Sequence, residues 1–429
     1  MSNSPLISFY FQVHQPYRLR DLRVTDIGRE DINYFDEEKN REVFRKVADK
    51  CYIPANKALL DMLNAHPNFT AAFSLSGVFL DQCEEYGQDV LASFKALADT
   101  GKVEFLAETY YHSLSYLWSL PEFCEQVTKH VKKIEELFGQ KPKIFRNTEL
   151  VYSNELAETA RLLGFRGILA EGADHILDGR SPNAPYVPPD FELPKEKQKI
   201  IKKYQIHKHR GSMGRTKKGH DPISILLKNY RLSDDVAFRF SDKSWVGYPL
   251  HADQFTEWLT ASGGHCVNLY MDYETFGEHQ WEDTGIFDFL RTLPRLWEDW
   301  QINTATPSGV IDAWGDKPCE VFDAHAYVSW ADIERDLSAW RGNQIQEAAM
   351  HGIYALEDEV KASKDTTLLD TWRRLQTSDH FYYMCTKYWN DGDVHKYFSP
   401  YESPYEAYRI FSHALCDLKQ RLNKSTPTS

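Results

Sequence analysis

The sequence predicts an α/β protein that ends in a helical region, and three observations carry that reading. From Leu6 to about Leu293, short apolar runs alternate with amphipathic stretches of helical period. Two of those runs end in acid-bearing segments, Phe145-Arg146-Asn147-Thr148-Glu149 and Met271-Asp272-Tyr273-Glu274-Thr275-Phe276-Gly277-Glu278-His279. After about Asp323 the strand signals fade and long aromatic-rich helical stretches follow.

In chain order, Leu6, Ile7, Phe9, Tyr10 and Phe11 mark the first strand. Leu59, Leu60 and Leu63 form a helix stripe, and Phe69 to Leu75 returns to strand. Val90, Leu91, Phe94, Leu97 and Ala98 make the next helical face, which Gly101 stops before the strand Val103 to Ala107. Pro121 opens a helix carrying Phe123, Val127, Val131, Ile134 and Phe138, and Gly139 ends it. Ile144 and Phe145 form a strand, Leu156 to Leu163 a helix, Gly167 to Ala170 a strand, and Val267 to Tyr270 a buried strand. Such alternation implies parallel strands with helical crossovers, and a doubly wound sheet or a barrel satisfies it equally.

The rhythm breaks between Ser181 and Asp221, where five prolines are followed by a basic run that includes Lys195, Lys197, Lys199, Lys202, Lys203, Lys208, Arg210, Arg215, Lys217 and Lys218. A loop of this length in a compact domain is a solvated insertion, a lid or a contact for a partner. His207 and His209 lie among too many cations to make a good metal site. The expected division is a catalytic unit over residues 1–322, with the insertion at about 181–221, and a helical region over 323–429. The latter is expected as three long helical runs, Ala331 to Val360, Leu368 to Tyr388 and Tyr405 to Leu422.

A formal charge of −13 argues against nucleic acid as the main partner. No stretch is apolar enough to predict a membrane span. Met1 to Val13 lacks the basic start and long apolar core of a secretory leader, and the seven cysteines form no C-x-x-C pair, so a cytoplasmic location is expected. Aromatic residues make up 14% of the chain, which suits sugar-binding platforms as well as a large core.

Two carboxylates at the ends of different strands are what glycoside hydrolysis uses: one attacks, the other protonates the leaving oxygen. Taken alone, Glu149 and Asp272 read more readily as solvated or salt-bridged strand-end acids, which are common. Together with His14-Gln15-Pro16, however, these segments resemble the sequence regions of glycoside hydrolase family 57, and YMDYETFGEHQW resembles the fourth region of its α-amylase-like members. The similarity runs from His14 to about Trp340 with the motifs in order. It implies an incomplete parallel (β/α)7 barrel followed by a C-terminal helical bundle, and retaining cleavage of α-glucans.

The resemblance makes Glu149 the nucleophile and Asp272 the general acid and base. Arg146 is a nearby cation able to keep Glu149 ionised, while Glu274, Tyr270 and Tyr273 are positioned to raise Asp272. His14 is implied to bind sugar hydroxyls; many relatives carry a second histidine where this chain has Gln12. Glu104 matches the acidic residue of the second region, with Glu108 and His112 as lesser candidates for the same cleft. Glu278, His279 and Trp281 are expected to line the cleft after Asp272, with Glu274, His279 and Trp281 taken as substrate-binding. Asp336 and Trp340, four apart, resemble the acid and aromatic platform of the fifth region and are expected to share a helix face. The chemistry calls for no metal and no cofactor. The alternatives are a glucanotransferase or branching enzyme using the same residues, a glycan-binding protein with a dead site, and a metal-dependent deacetylase, for which no convincing Asp and His ligand set is seen.

Overall fold

The computed structural model describes residues 4–30, 32–207, 223–387 and 399–425. Its strands in chain order are β1 (Leu6–Val13), β2 (Ala71–Leu75), β3 (Val103–Phe105), β4 (Ile144–Arg146), β5 (Gly167–Glu171), β6 (Tyr186–Val187), β7 (Ser224–Lys228), β8 (Cys266–Asp272) and β9 (Glu320–Val321). They form two sheets, ordered β3-β2-β1-β8 and β4-β5-β7-β6-β9. A parallel bridge between Ala107 and Phe145 joins β3 to β4, with Arg146 N–H donating to the Ala107 carbonyl at 2.8 Å. On the other side, Asn229 N–H reaches the Asn268 carbonyl at 2.9 Å, and the Asn268 amide reaches Leu227 at 2.8 Å. Seven parallel strands thus curl into a ring that is laddered within each sheet, joined at β3–β4 by a single bridge and left open at the β7–β8 seam. There β7 also pairs antiparallel with β6, an addition from the insertion. The expected incomplete barrel of seven strands is what forms; its sixth barrel strand, β7, is the one that was not singled out in the sequence.

Alternation along the strands sorts side chains into two layers. On β1, Ile7, Phe9, Phe11 and Val13 join the core beneath the surrounding helices, with Leu269, Met271 and Tyr273 beside them. Tyr10 and Tyr270 turn inward instead, among Ala72, Leu106, Ile144, Leu169 and Leu226. The inner layer is therefore apolar at mid-barrel. One step further along the strands it changes character completely.

Helix boundaries follow local chemistry. The helix Leu120–Phe138 starts at Ser119, whose hydroxyl accepts from Glu122 N–H, has Pro121 in its first turn, and stops at Gly139 in the left-handed region. After the barrel the expected long helical runs are broken into shorter pieces: Ser338–Arg341, Gln344–Tyr354, Glu357–Ser363, Thr366–Arg374 and Ser378–Tyr382, then a long helix Pro404–Ser425. Residues 331–337 form turns, with Asp332 and Arg335 at positive φ. The helical region shares one core with the segment after β1: Tyr17, Leu19, Leu22 and Phe35 pack with Trp340, Trp372 and Phe411. Within the insertion, Lys195–Lys202 is helical and Lys197 pairs with Glu155. The remainder of the basic run, from Lys208 to Lys218, and with it His209, lies outside the described residues.

Gly277 is the tightest point of the acid-rich loop. Its φ is 111°, and a Cβ there would lie 1.9 Å from the Lys50 carbonyl oxygen. Gly277→Ala is expected to destabilise the fold by about 3 kcal/mol, through backbone strain together with displacement of the helix that carries Lys50. Urea unfolding of the two proteins measures this directly; an unchanged midpoint would show that the loop relaxes freely.

Candidate active site

The C-terminal ends of the barrel strands carry a polar layer built by the same alternation that builds the apolar one. Inward positions two residues beyond Tyr10 and Tyr270 are Gln12 and Asp272, paired in register, and Gln12 is also level with Ser74. Arg146, Glu171 and Lys228 occupy the ends of β4, β5 and β7. Gln12 accepts from Tyr10 and Ser74 hydroxyls at 2.8 and 2.6 Å, and its amide faces Glu108 at 3.3 Å. Lys228 lies 3.8 Å from Glu171 and 2.9 Å from Asp234, and Arg335 adds a contact of 3.3 Å to Glu171. Burying this many charges is tolerable only because they alternate in sign.

Glu149 sits on the turn after β4 with φ 57° and ψ 27°, and Leu150 follows at φ 50°. Two consecutive non-glycine residues in the left-handed region cost on the order of 1–3 kcal/mol each. The surroundings enforce them. The Glu149 carbonyl accepts from Trp330 N–H at 3.2 Å, and Tyr152 and Val328 exchange backbone hydrogen bonds at 2.8 and 3.0 Å. One carboxylate oxygen accepts from His112 Nε2 at 3.1 Å and the other from the Trp330 indole N–H at 2.7 Å. Burial alone would raise this acid, but His112, then Arg146 and the Trp330 bond, outweigh it and hold Glu149 below the ordinary glutamate value. The Trp330 ring lies between two cations, 5.0 Å from the Arg146 guanidinium carbon and 5.4 Å from Lys228 Nζ. Trp330→Phe keeps an aromatic side chain but replaces the indole with a single ring and deletes the N–H. A lost charge-assisted bond is worth about 1.5–3 kcal/mol, so kcat should fall about 10- to 100-fold. The acidic limb of the pH profile should move to higher pH, because one support of the ionised form is gone; an unmoved limb would mean the indole does not set the charge state of Glu149.

His112 is held between two acids. Nδ1 lies 2.9 Å from Glu108 and Nε2 3.1 Å from Glu149, and since carboxylates only accept, both ring nitrogens carry hydrogen. Burial opposes the charge, yet the two acids keep His112 protonated up to about 9. His14 stacks on this ring with centroids 3.9 Å apart and planes 17° from parallel. Its Nε2 faces Asp379 at 3.0 Å and its Nδ1 faces the Ser76 hydroxyl at 2.6 Å. Burial and the charge on His112 lower the His14 pKa, while Asp379 pulls it the other way. Asp379 is itself kept well below the usual carboxylate range by His14, in spite of its burial.

Asp272 faces Glu149 across the cleft in the opposite electrostatic condition. Burial, and then the negative charge on Glu149, raise it to about 6 against the pull of Arg146, Lys228 and His112. Glu274, next inward along the loop, is raised to about 8 by burial and by Asp272, and accepts from the Tyr52 hydroxyl. At neutral pH Glu274 is thus an uncharged acid able to donate a hydrogen bond. The cleft that holds these groups has a volume of about 420 Å³, within the usual range for small-molecule sites.

Of the residues singled out in the sequence, Glu149, Asp272, His14, Glu274, His279 and Trp340 line this cleft. Three do not. Glu104 points away from it: Ser308, in the first turn of the helix Pro307–Trp314, donates to its carboxylate through both backbone N–H and hydroxyl. Glu104 is a helix-capping acid, and neither a sugar ligand nor a support for His14. Trp281 is 58% exposed outside the cleft, with Lys50 Nζ 5.2 Å from its ring centre. Asp336 shares no helix face with Trp340; it precedes the helix Ser338–Arg341 and accepts from Ser338 N–H at 2.8 Å. Asp332 and Trp330 of the same segment reach the cleft in its place. Tyr273 turns outward into the helix-side core, and Glu149 rather than Glu274 is the acid that raises Asp272. Lys228, Trp330 and Asp379 were not found from the sequence. Each is unremarkable locally and acquires its role only from the barrel register or from a chain reversal.

A parallel barrel with one ionised and one protonatable carboxylate at the C-terminal ends of its strands has the plan of a glycoside hydrolase. The profile described as Glycosyl hydrolase family 57 matches residues 8–323, and the chain belongs to that family. A Methanocaldococcus jannaschii protein named "Putative alpha-amylase" is 40% identical over 98% of this chain and 86% of its own length. Among solved structures, a family 57 branching enzyme from Thermococcus kodakaraensis superposes with a TM-score of 0.65 at 14% identity, covering 99% of this chain and 94% of that one. The 4-alpha-glucanotransferase of Thermococcus litoralis gives 0.60 at 15% identity, over 89% of this chain and 56% of the longer enzyme. Both likenesses establish the fold.

Proposed function

We propose that this glycoside hydrolase cleaves α-glucosidic bonds of α-glucans with retention of anomeric configuration, in the manner of an α-amylase. The observation that carries the reading is the split between two part-buried carboxyls that share one cleft: Glu149 favoured as the ion, Asp272 raised to about 6. Glu149 attacks the anomeric carbon while Asp272 gives its proton to the departing oxygen, leaving a glycosyl ester on Glu149. Asp272, now a base, takes a proton from water, and water displaces the ester. Such a sequence works with the two carboxyl groups about 5–5.5 Å apart. His14, fixed by Ser76 and Asp379, and the neutral Glu274 bind sugar hydroxyls beside the scissile bond. We infer a cytoplasmic location, which the seven free cysteines support.

The test is a product profile on maltooligosaccharides and soluble starch. New reducing ends are the expected result. Longer oligosaccharides without net reducing ends would replace hydrolysis by transfer to a sugar hydroxyl through the same ester. No turnover of any α-glucan would sink the substrate assignment.

A further inference from the structure

A second groove, of about 580 Å³, lies between the segment 240–253 and the helix Ile286–Asp299. Its apolar lining includes Phe240, Tyr248 and Phe289, and polar side chains at its edge include His251, Asp253 and Asp288. Nothing in the mechanism uses it. Rings below and hydrogen-bonding groups around them suit a sugar, whose C–H faces are apolar and whose edges are hydroxyls. The two carboxylates on the rim, in a chain of formal charge −13, disfavour anionic ligands and leave a neutral one.

The groove is joined to the catalytic cleft by two segments. Ala237 and Phe238 line the cleft and Phe240 lines the groove; His279 lines the cleft and Thr284 the groove. The two segments are tied to one another by the Gln280 amide, which donates to the Ala237 carbonyl at 2.9 Å. Each connecting segment carries a large ring exposed to solvent: Phe238, which lines the cleft, is 65% exposed, and Trp281, between His279 and Thr284 in the chain, 58%. Tyr248, in the groove, is 40% exposed. Exposed rings this large, on segments that join a sugar cleft to a second groove, are not explained by core packing.

The geometry points to a secondary binding site for the same α-glucan chain, running from the cleft over Phe238 and Trp281 into the groove at Tyr248. It rests on the α-glucan reading of the cleft and extends it, making the enzyme one adapted to long chains rather than short oligosaccharides. A polymer held at both places dissociates more slowly than one held in the cleft alone, because the second contact is intramolecular.

Native electrophoresis through gels with and without amylopectin tests this, run beside turnover of maltoheptaose. Tyr248→Ala removes a ring, and Thr292→Arg, also on the groove lining, fills it; both positions are on the surface, so the fold is retained. Wild type should be retarded by amylopectin. A stacked ring is worth about 1 kcal/mol, so Tyr248→Ala should bind the polymer roughly 5-fold more weakly and Thr292→Arg, which blocks the groove, at least as weakly, while maltoheptaose turnover of both stays at the wild-type level. Wild-type retardation in both variants would overturn the groove, as would a wild type that turns over maltoheptaose and is not retarded. If no α-glucan is turned over by wild type, the function proposed for the cleft fails and the groove assignment falls with it, a result distinct from either of the others.

Discussion

Glu149→Gln is expected to lower kcat on maltooligosaccharides by on the order of 10⁴-fold or more, the scale seen when a residue that forms a covalent intermediate is removed. The amide is close to isosteric, so the strained turn, with Trp330 N–H on the Glu149 carbonyl, remains. What disappears is the charge. His112 then faces one carboxylate, Glu108, in place of two, and its pKa falls from about 9. Asp272 loses the neighbour that, after burial, does most to raise it, so it drops from about 6 toward the ordinary aspartate value. NMR of a carboxyl-labelled Asp272 in the variant would follow that second change independently of turnover. A variant that retains wild-type turnover would sink the mechanism. An inactive variant with an unmoved Asp272 would break only the electrostatic link between the two acids.

Asp272→Asn should cost about 10²- to 10⁴-fold in kcat/KM, the usual contribution of a positioned general acid. Its more telling effect is on the pH profile. In the wild type Asp272 must be protonated for the first step, so kcat/KM should decline as pH rises through about 6. Glu149 must be ionised, and since its pKa is lowered, the acidic limb should lie below the ordinary glutamate value. In Asp272→Asn the alkaline limb near 6 should vanish, leaving a low, flat profile above the Glu149 limb. Substrates with very acidic leaving groups, which depart without a proton, should recover most of the lost rate of the first step. If the limb persists in the variant, another group is the acid, and Glu274, raised to about 8, is the first to examine.

The parts of the fold legible in the sequence were those governed by local periodicity. Strand and helix alternated as expected up to Leu163, and the helix opened by Pro121 and closed by Gly139 was bounded correctly because caps are local chemistry. Glu149 and Asp272 were legible for another reason: as acids just past apolar runs they were open to a structural reading, and the resemblance of their segments to family regions singled them out. The rest depends on information that no window of sequence contains. Trp330 and Asp379 meet the barrel only after the chain has turned back over it, and Lys228 became a site residue only through the inward register of β7. The late segment misled because its helical period was real in composition and overridden in space: Asp332 and Arg335 adopt positive φ, and Asp336 is occupied in capping Ser338. Glu104 misled through its motif. Its neighbour on the polar end of the barrel is Glu108, four residues on, past the end of β3.

The barrel carries both reacting carboxylates, but Trp330 and Asp379, which hold Glu149 and His14, come from the chain beyond it. During synthesis Glu149 and His14 therefore leave the ribosome before Trp330 and Asp379, although His112 and Arg146, which also act on Glu149, come earlier in the chain. A chain that ends before Trp330 lacks one hydrogen bond to Glu149, and one that ends before Asp379 lacks the carboxylate partner of His14. The cleft thus reaches its full set of contacts only when the region beyond the barrel has docked.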